Sequence, residues 1–169
     1  MDPLHQTLND MFDGMAASQG ERPAVLFRDQ GLTYRELRQD AARLAGGLAA
    51  LGLSAGDRIA VWLPSCLDWV RLQLAAARLG LVLVPLSTRF KEVEAEYILR
   101  QSDASALVLA DRWHGIDFVE RLGPVTSDRF PFLRHRIVKG NHPPTGAVAF
   151  EDLASHAPLA VSSPVRPDD

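Results

Sequence analysis

The chain has 169 residues and a formal net charge of −3, with 47% hydrophobic and 23% charged residues. That length suits one domain burying roughly 70% of its unfolded surface, and the slight acidity gives no basic face for nucleic acid. A single cysteine, Cys66, rules out an internal disulfide framework and fits a reducing cytoplasm.

The first fifteen residues carry acidic side chains and neither a basic leader nor an apolar run, so no signal peptide is expected there. Leu4, Leu8, Met11, Phe12 and Met15 recur at helical spacing. They predict an N-terminal helix within residues 1–20, laid by that face on the body. Ala24 to Phe27 and Leu32 to Tyr34, either side of Asp29-Gln30-Gly31, predict a hairpin. Thr33 then opens a helix as a capping box, Glu36 reaching back to the cap N–H. Leu37, Ala41, Leu44, Leu48 and Leu51 form its apolar stripe, and Gly52 ends it. Gly46, Gly47 and Gly52 do not make a phosphate loop, which needs a strand-to-helix turn with free N–H groups. Close packing and a C-cap account for them.

The centre of the chain is Gly56 to Phe90. Arg58 to Leu63 predicts a strand closed by Pro64. Ser65 is the expected cap of a helix from Cys66 to Leu79, on which Asp68, Arg71, Ala75 and Arg78 line one narrow, more polar stripe. Cys66 itself fits inert packing better than a nucleophile. Gly80 is the expected C′ residue, and Leu81 to Leu86, apolar without alternation, predicts a strand covered on both faces. Strand, crossover helix and strand make a βαβ unit. The window Leu72 to Leu86 is too short for a membrane span and contains Arg78.

Beyond Phe90 a helix is expected from about Lys91 to Gln101, with Val93 and Tyr97 inward and Glu92, Glu94 and Glu96 spread over a solvated face. Ala106 to Ala110 predicts a third parallel strand, Asp111 the cap of a helix over Arg112 to Leu122, and Gly123-Pro124 its stop. A weak strand at Arg136 to Val138 and a short helix at Phe150 to His156 follow. The expected division is an N-terminal helix over 1–20, a partial α/β domain over 21–156 and a linker over 157–169. The five histidines, His5, His114, His135, His142 and His156, have no metal-ligand spacing. Trp62 and Trp69 are expected in the core. On these signals alone the function stays open.

Four segments carry a resemblance. Arg22 to Leu37, Leu48 to Pro64 (LAALGLSAGDRIAVWLP), Ala76 to Phe90 (AARLGLVLVPLSTRF) and Tyr97 to Val108 together resemble, in order and spacing, the N-terminal part of the AMP-forming acyl-CoA synthetases. The resemblance runs from about Arg22 to Asp169, and Pro-Leu-Ser-Thr-Arg-Phe leans towards fatty or aryl acyl-CoA synthetases. It implies a partial N-terminal domain of an acyl-adenylating enzyme, with parallel βαβ units, flanking helices and an N-terminal hairpin. The intact parent would use ATP, magnesium and coenzyme A to turn a carboxylic acid into an acyl-adenylate and then a thioester. The family's serine/threonine/glycine-rich phosphate loop, adenine segment, ribose-binding aspartate and catalytic lysine do not occur in these 169 residues. Residues 157–169 resemble the connector leading to that loop, so no catalytic residue and no bound cofactor is expected in this segment alone. One position carries over: Arg89 matches the arginine that lies near the nucleotide phosphate of coenzyme A. Against this, Arg89 as a surface partner of Glu92 remains open. A standalone non-catalytic interaction or binding module is the alternative to the enzyme fragment. Self-association through exposed apolar surface and a cytoplasmic location complete the expectations.

Overall fold

A computed structural model describes residues 6–141 and 143–159. In chain order, helix α1 (Leu8–Gln19) precedes the hairpin β1 (Pro23–Phe27) and β2 (Gln30–Thr33), then α2 (Tyr34–Ala50). Next come β3 (Arg58–Trp62), α3 (Leu67–Leu79), β4 (Val82–Pro85), α4 (Glu92–Gln101) and β5 (Ala106–Ala110). The small hairpin β6 (Arg112–Trp113) and β7 (Ile116–Asp117) leads to α5 (Phe118–Leu122), and β8 (His135–Lys139), β9 (Val148–Ala149) and α6 (Phe150–Ala154) close the described chain. Two compact units result: one of residues 6–55, 66–81 and 153–159, the other of residues 56–65 and 82–152.

The first unit is helical with a two-stranded hairpin. Thr33 caps α2 as its sequence requires: Glu36 N–H donates to Thr33 Oγ1 at 3.2 Å, and Thr33 N–H donates to Glu36 Oε2 at 2.8 Å. A second box starts α1, where Asp10 N–H donates to Thr7 Oγ1 and Thr7 N–H to Asp10 Oδ2. Leu37, Ala41 and Leu74 form a small core that Phe12, Ala24, Val25, Leu32 and Val70 pack against. The buried face of α1 differs from the expected one. Phe12 is on it with Asn9 and Ala16, whereas Leu8 and Met11 are 47% and 55% exposed, and Leu4 lies outside the described residues. Gly47 lies against Leu153, with no room for a Cβ. The glycines of α2 thus serve packing.

On α3 the polar stripe is inside this unit. Arg78 pairs with Asp13, and Arg71 bridges Asp40 and Asp68. The start of α3 also moves: Cys66, not Ser65, is the N-cap, and it makes no capping bond with its side chain. Gly80 ends the helix at φ 70°, the left-handed geometry that glycine adopts without strain.

The second unit is built on a five-stranded sheet in the order β4-β3-β5-β8-β9, parallel at every pairing. Its middle is apolar throughout. Ile59, Ala60, Val61, Trp62 and Ala106 to Leu109 are fully buried, as burial in a parallel sheet demands. The expected double cover of β4 does not hold, because β4 is an edge strand with Val82 49% exposed and Pro85 where a missing N–H is tolerated.

Two helices of this unit depart from their sequence patterns. On α4, Ala95 and Leu99 are buried, while Val93 and Tyr97 are 77% and 64% exposed. The acidic residues explain the rotation. Glu92 and Glu96, one turn apart, converge on the Arg129 guanidinium at 2.9 and 2.7 Å, and Glu94 accepts from the Lys91 N–H. Glu92 and Glu96 thus converge where spreading was expected, while Glu92 and Glu94 do keep exposed positions. After β5 the expected helix from Arg112 is a hairpin turning at His114-Gly115, both at positive φ. Helix α5 begins only at Phe118, and its cap is Asp117 rather than Asp111. The terminal helix stops at Ala154, short of His156, and β9 precedes it where no strand was expected.

Candidate ligand-binding edge of the parallel sheet

Parallel sheets offer ligand-binding groups beyond the carboxyl ends of their strands, where loops gather and backbone groups are left unpaired. In the second unit the ends of β4, β5 and β8 carry Ser87-Thr88-Arg89, Asp111 and Gly140-Asn141.

The loop after β4 is held rigidly by its backbone. Leu86 N–H donates to the Val61 carbonyl at 2.9 Å, continuing the pairing with β3. The Ser87 carbonyl accepts twice, from the Trp62 indole N–H at 2.9 Å and from the Phe90 N–H at 3.0 Å. Trp62 in turn stands edge-on to Phe118, with centroids 5.1 Å apart at 89°. Arg121 donates to the Phe90 carbonyl at 3.3 Å. Arg89 therefore projects from a fixed loop, exposed, with its own N–H on Ser87 Oγ at 3.3 Å. Glu92, the surface partner open to it from sequence, is engaged with Arg129 instead. A guanidinium so placed offers a fork of N–H donors suited to phosphate or carboxylate oxygens.

Further along the same sheet edge, Asp111 ties the ends of β5 and β8. Its carboxylate accepts from the Arg112 N–H and from the Asn141 N–H, the latter at 3.0 Å. Gly140, at φ 150°, lets the chain pass against that carboxylate where a Cβ would collide with it. Asp117 accepts the Glu120 N–H, which holds its carboxyl below the ordinary range; burial opposes this, and the bound Arg112 adds to the lowering. Both carboxylates are thus committed to structure. Among the described residues no group of three histidine, cysteine, aspartate or glutamate side chains is placed to hold a metal. Trp62 is fully buried, as expected; Trp69 is half-buried.

Sequence patterns did not point to the ties at the opposite ends of the strands. Ser105 Oγ donates to Asp57 at 3.1 Å and Arg134 to the same oxygen at 2.9 Å, joining the segments that enter β3, β5 and β8. These partners lie 48 and 77 positions apart, beyond any local spacing signal.

Residues 12–169 match the model of the family described as AMP-binding enzyme. A zebrafish (Danio rerio) relative, the mitochondrial medium-chain acyl-CoA ligase ACSF2, is 32% identical over 147 residues, covering 79% of this chain and 24% of its own length. Mycobacterium smegmatis MbtA superposes with a TM-score of 0.80 at 28% identity, over 95% of this chain and 29% of MbtA. The anthranilate CoA ligase AuaEII, solved with anthranoyl-AMP, shares the fold with a TM-score of 0.83 at 24% identity, over 95% of this chain and 30% of its own. The chain spans less than a third of the length of the curated relatives it matches. No helix among the described residues is long and apolar enough to cross a membrane. The fold, the ordered segments and the family match agree: this chain belongs to the AMP-binding enzyme family, as a part of such an enzyme.

Proposed function

We propose that this chain is the N-terminal segment of an ATP-dependent acyl-CoA synthetase, which joins a carboxylate to AMP and then passes the acyl group to coenzyme A. The observation that carries the reading is the family match over residues 12–169. In the intact protein ATP, magnesium and coenzyme A are the co-reactants and a carboxylic acid is the substrate. The chain alone is inactive, because nothing among its described residues cradles a triphosphate. Arg89 binds the nucleotide phosphate of coenzyme A; its exposed guanidinium on a loop pinned by Trp62 supports that role. A reducing cytoplasm suits the single cysteine. Nucleic acid is not a partner of this mildly acidic chain. Exposed Leu8, Met11 and Leu26 in the first unit favour self-association of the isolated segment, to be read by sedimentation.

Arg89→Ala in the intact enzyme tests the reading. Loss of one charge-assisted phosphate contact removes about 1.5–3 kcal/mol, seen as a higher KM for coenzyme A with adenylation unchanged. An unaltered KM, or an equal loss in adenylation, makes Arg89 structural. Pyrophosphate release by the 169-residue chain with ATP, magnesium and fatty or aryl acids would overturn the assignment of inactivity.

A further inference from the structure

Helix α4 carries an apolar patch that its own unit does not cover. Val93 and Tyr97, one turn apart, are 77% and 64% exposed, while Ala95 and Leu99 take the buried face. Two exposed charges flank the patch. Glu94 and Arg100 each stand three residues from Tyr97, on opposite sides of it, about 60° round the helix and about 4.5 Å along it. Neither is ion-paired with a described residue, whereas Glu92 and Glu96 on the same helix are both taken up by Arg129. Glu94 accepts the Lys91 N–H on one oxygen, Oε2. Arg100 donates from Nη1, to the Asp128 and Arg129 carbonyls at 3.4 and 3.3 Å. Both side chains therefore keep their charge and further hydrogen-bonding groups at the surface of the second unit.

We propose that this face is an interface between two copies of the chain, α4 packing antiparallel on α4 about a two-fold axis through Tyr97. Such an axis reverses both the direction along the helix and the side of it. Glu94 of one copy then falls on Arg100 of the other, and the reciprocal pair forms with it. Tyr97 meets Tyr97 at the centre, and Val93 is laid against Gln101 of the second copy. Opposite charges at equal and opposite offsets from the axis make the face complementary to itself. A parallel pairing sets like charges at the same height and forms neither pair. Two apolar side chains per copy are a small centre, which places the contact among weak, fast-exchanging interfaces held in register by their charges. The surface belongs to the second unit alone, is separate from Leu8, Met11 and Leu26, and does not depend on the acyl-transfer reading.

Sedimentation velocity of the full 169-residue chain over a concentration series at low salt tests the interface. A rapid monomer–dimer equilibrium is expected, weakening as salt is raised. Tyr97→Ser, Glu94→Arg and Arg100→Glu should each weaken dimerisation about tenfold, because a two-fold interface meets every substitution twice. The double variant Glu94→Arg with Arg100→Glu should return to near the wild-type level, which a disturbed helix does not do. The Tm of dilute samples reports that all four variants are folded. Dimer retained in full by the three single variants overturns the interface and assigns association to the apolar side chains of the first unit. A double variant that dimerises no better than its singles overturns the antiparallel register, and with it the proposal. A chain that stays monomeric throughout the series overturns a second copy as the occupant and leaves the face to a different protein segment.

Discussion

The helical unit buries charged and polar side chains beside its apolar core, whereas the interior of the sheet unit is apolar. In the first, three helices meet across polar groups: Arg78 with Asp13, Arg71 with Asp40 and Asp68, and Asn9 on the Ala77 carbonyl at 2.8 Å. In the second, β3 and β5 are apolar from end to end past Arg58, and the charges sit where strands begin and end. The difference teaches where each unit is vulnerable. An apolar interior loses stability in proportion to the cavity made. A polar seam loses it when one partner is removed and the other is left buried and unpaired.

Trp62→Ala should produce the largest effect, about 3–5 kcal/mol in denaturant unfolding, from loss of a fully buried ring. Trp62→Phe sharpens the point. It keeps most of the volume but drops the donation to the Ser87 carbonyl, and should cost about 1–2 kcal/mol beyond its small loss of area. A Trp62→Ala variant unfolding with the wild-type midpoint would mean that the sheet interior does not carry this unit.

Asp13→Ala comes next. It strands Arg78 and is expected to cost about 3 kcal/mol, the lower end for breaking a buried pair because Asp13 is 25% exposed. Adding Arg78→Met should recover most of that loss, whereas Glu21→Ala, breaking an exposed pair, should cost under about 1 kcal/mol. Equal losses for Asp13→Ala and Glu21→Ala would erase the distinction between seam and surface.

Thr33→Ala removes the cap of α2 and should cost about 1 kcal/mol. The same box predicts a pH effect. The Thr33 backbone N–H, and then its hydroxyl, hold the Glu36 carboxyl below its ordinary 4.5, so folding favours the charged form. That contribution is complete above the unfolded value and disappears as pH falls through the lower folded one. Urea midpoints measured from neutral pH down through this range should fall more steeply for the wild type than for Glu36→Gln.

The smallest effect is expected at the exposed positions of α4. Val93→Ser and Tyr97→Ser alter exposed side chains and should stay within about 0.5 kcal/mol, whereas Leu99→Ala, on the buried face, should cost about 2–5 kcal/mol. Reversal of that order would restore the inward face that periodicity alone suggests.

What could be read along the chain was local chemistry. The Thr33–Glu36 box, the left-handed Gly80 and the three strands beginning near residues 58, 82 and 106 all depend on neighbours within a few positions, and all stand as read. The ordered segments likewise pointed to the family, whereas the tie of Trp62 to the Ser87 carbonyl, 25 residues away, had no local signal. Tertiary structure decided which stripe of each helix turns inward. Periodicity defines a stripe but not the partner it meets. Asp13 lies 65 positions from Arg78 and draws a polar stripe inside, while Arg129 lies 33 from Glu96 and turns α4 so that Val93 and Tyr97 face out. Asp111 shows the same limit at the sheet edge. Its residue type suits a helix cap, but the N–H groups within its reach are those of Arg112 and of Asn141, and the second arrives only when β8 pairs with β5.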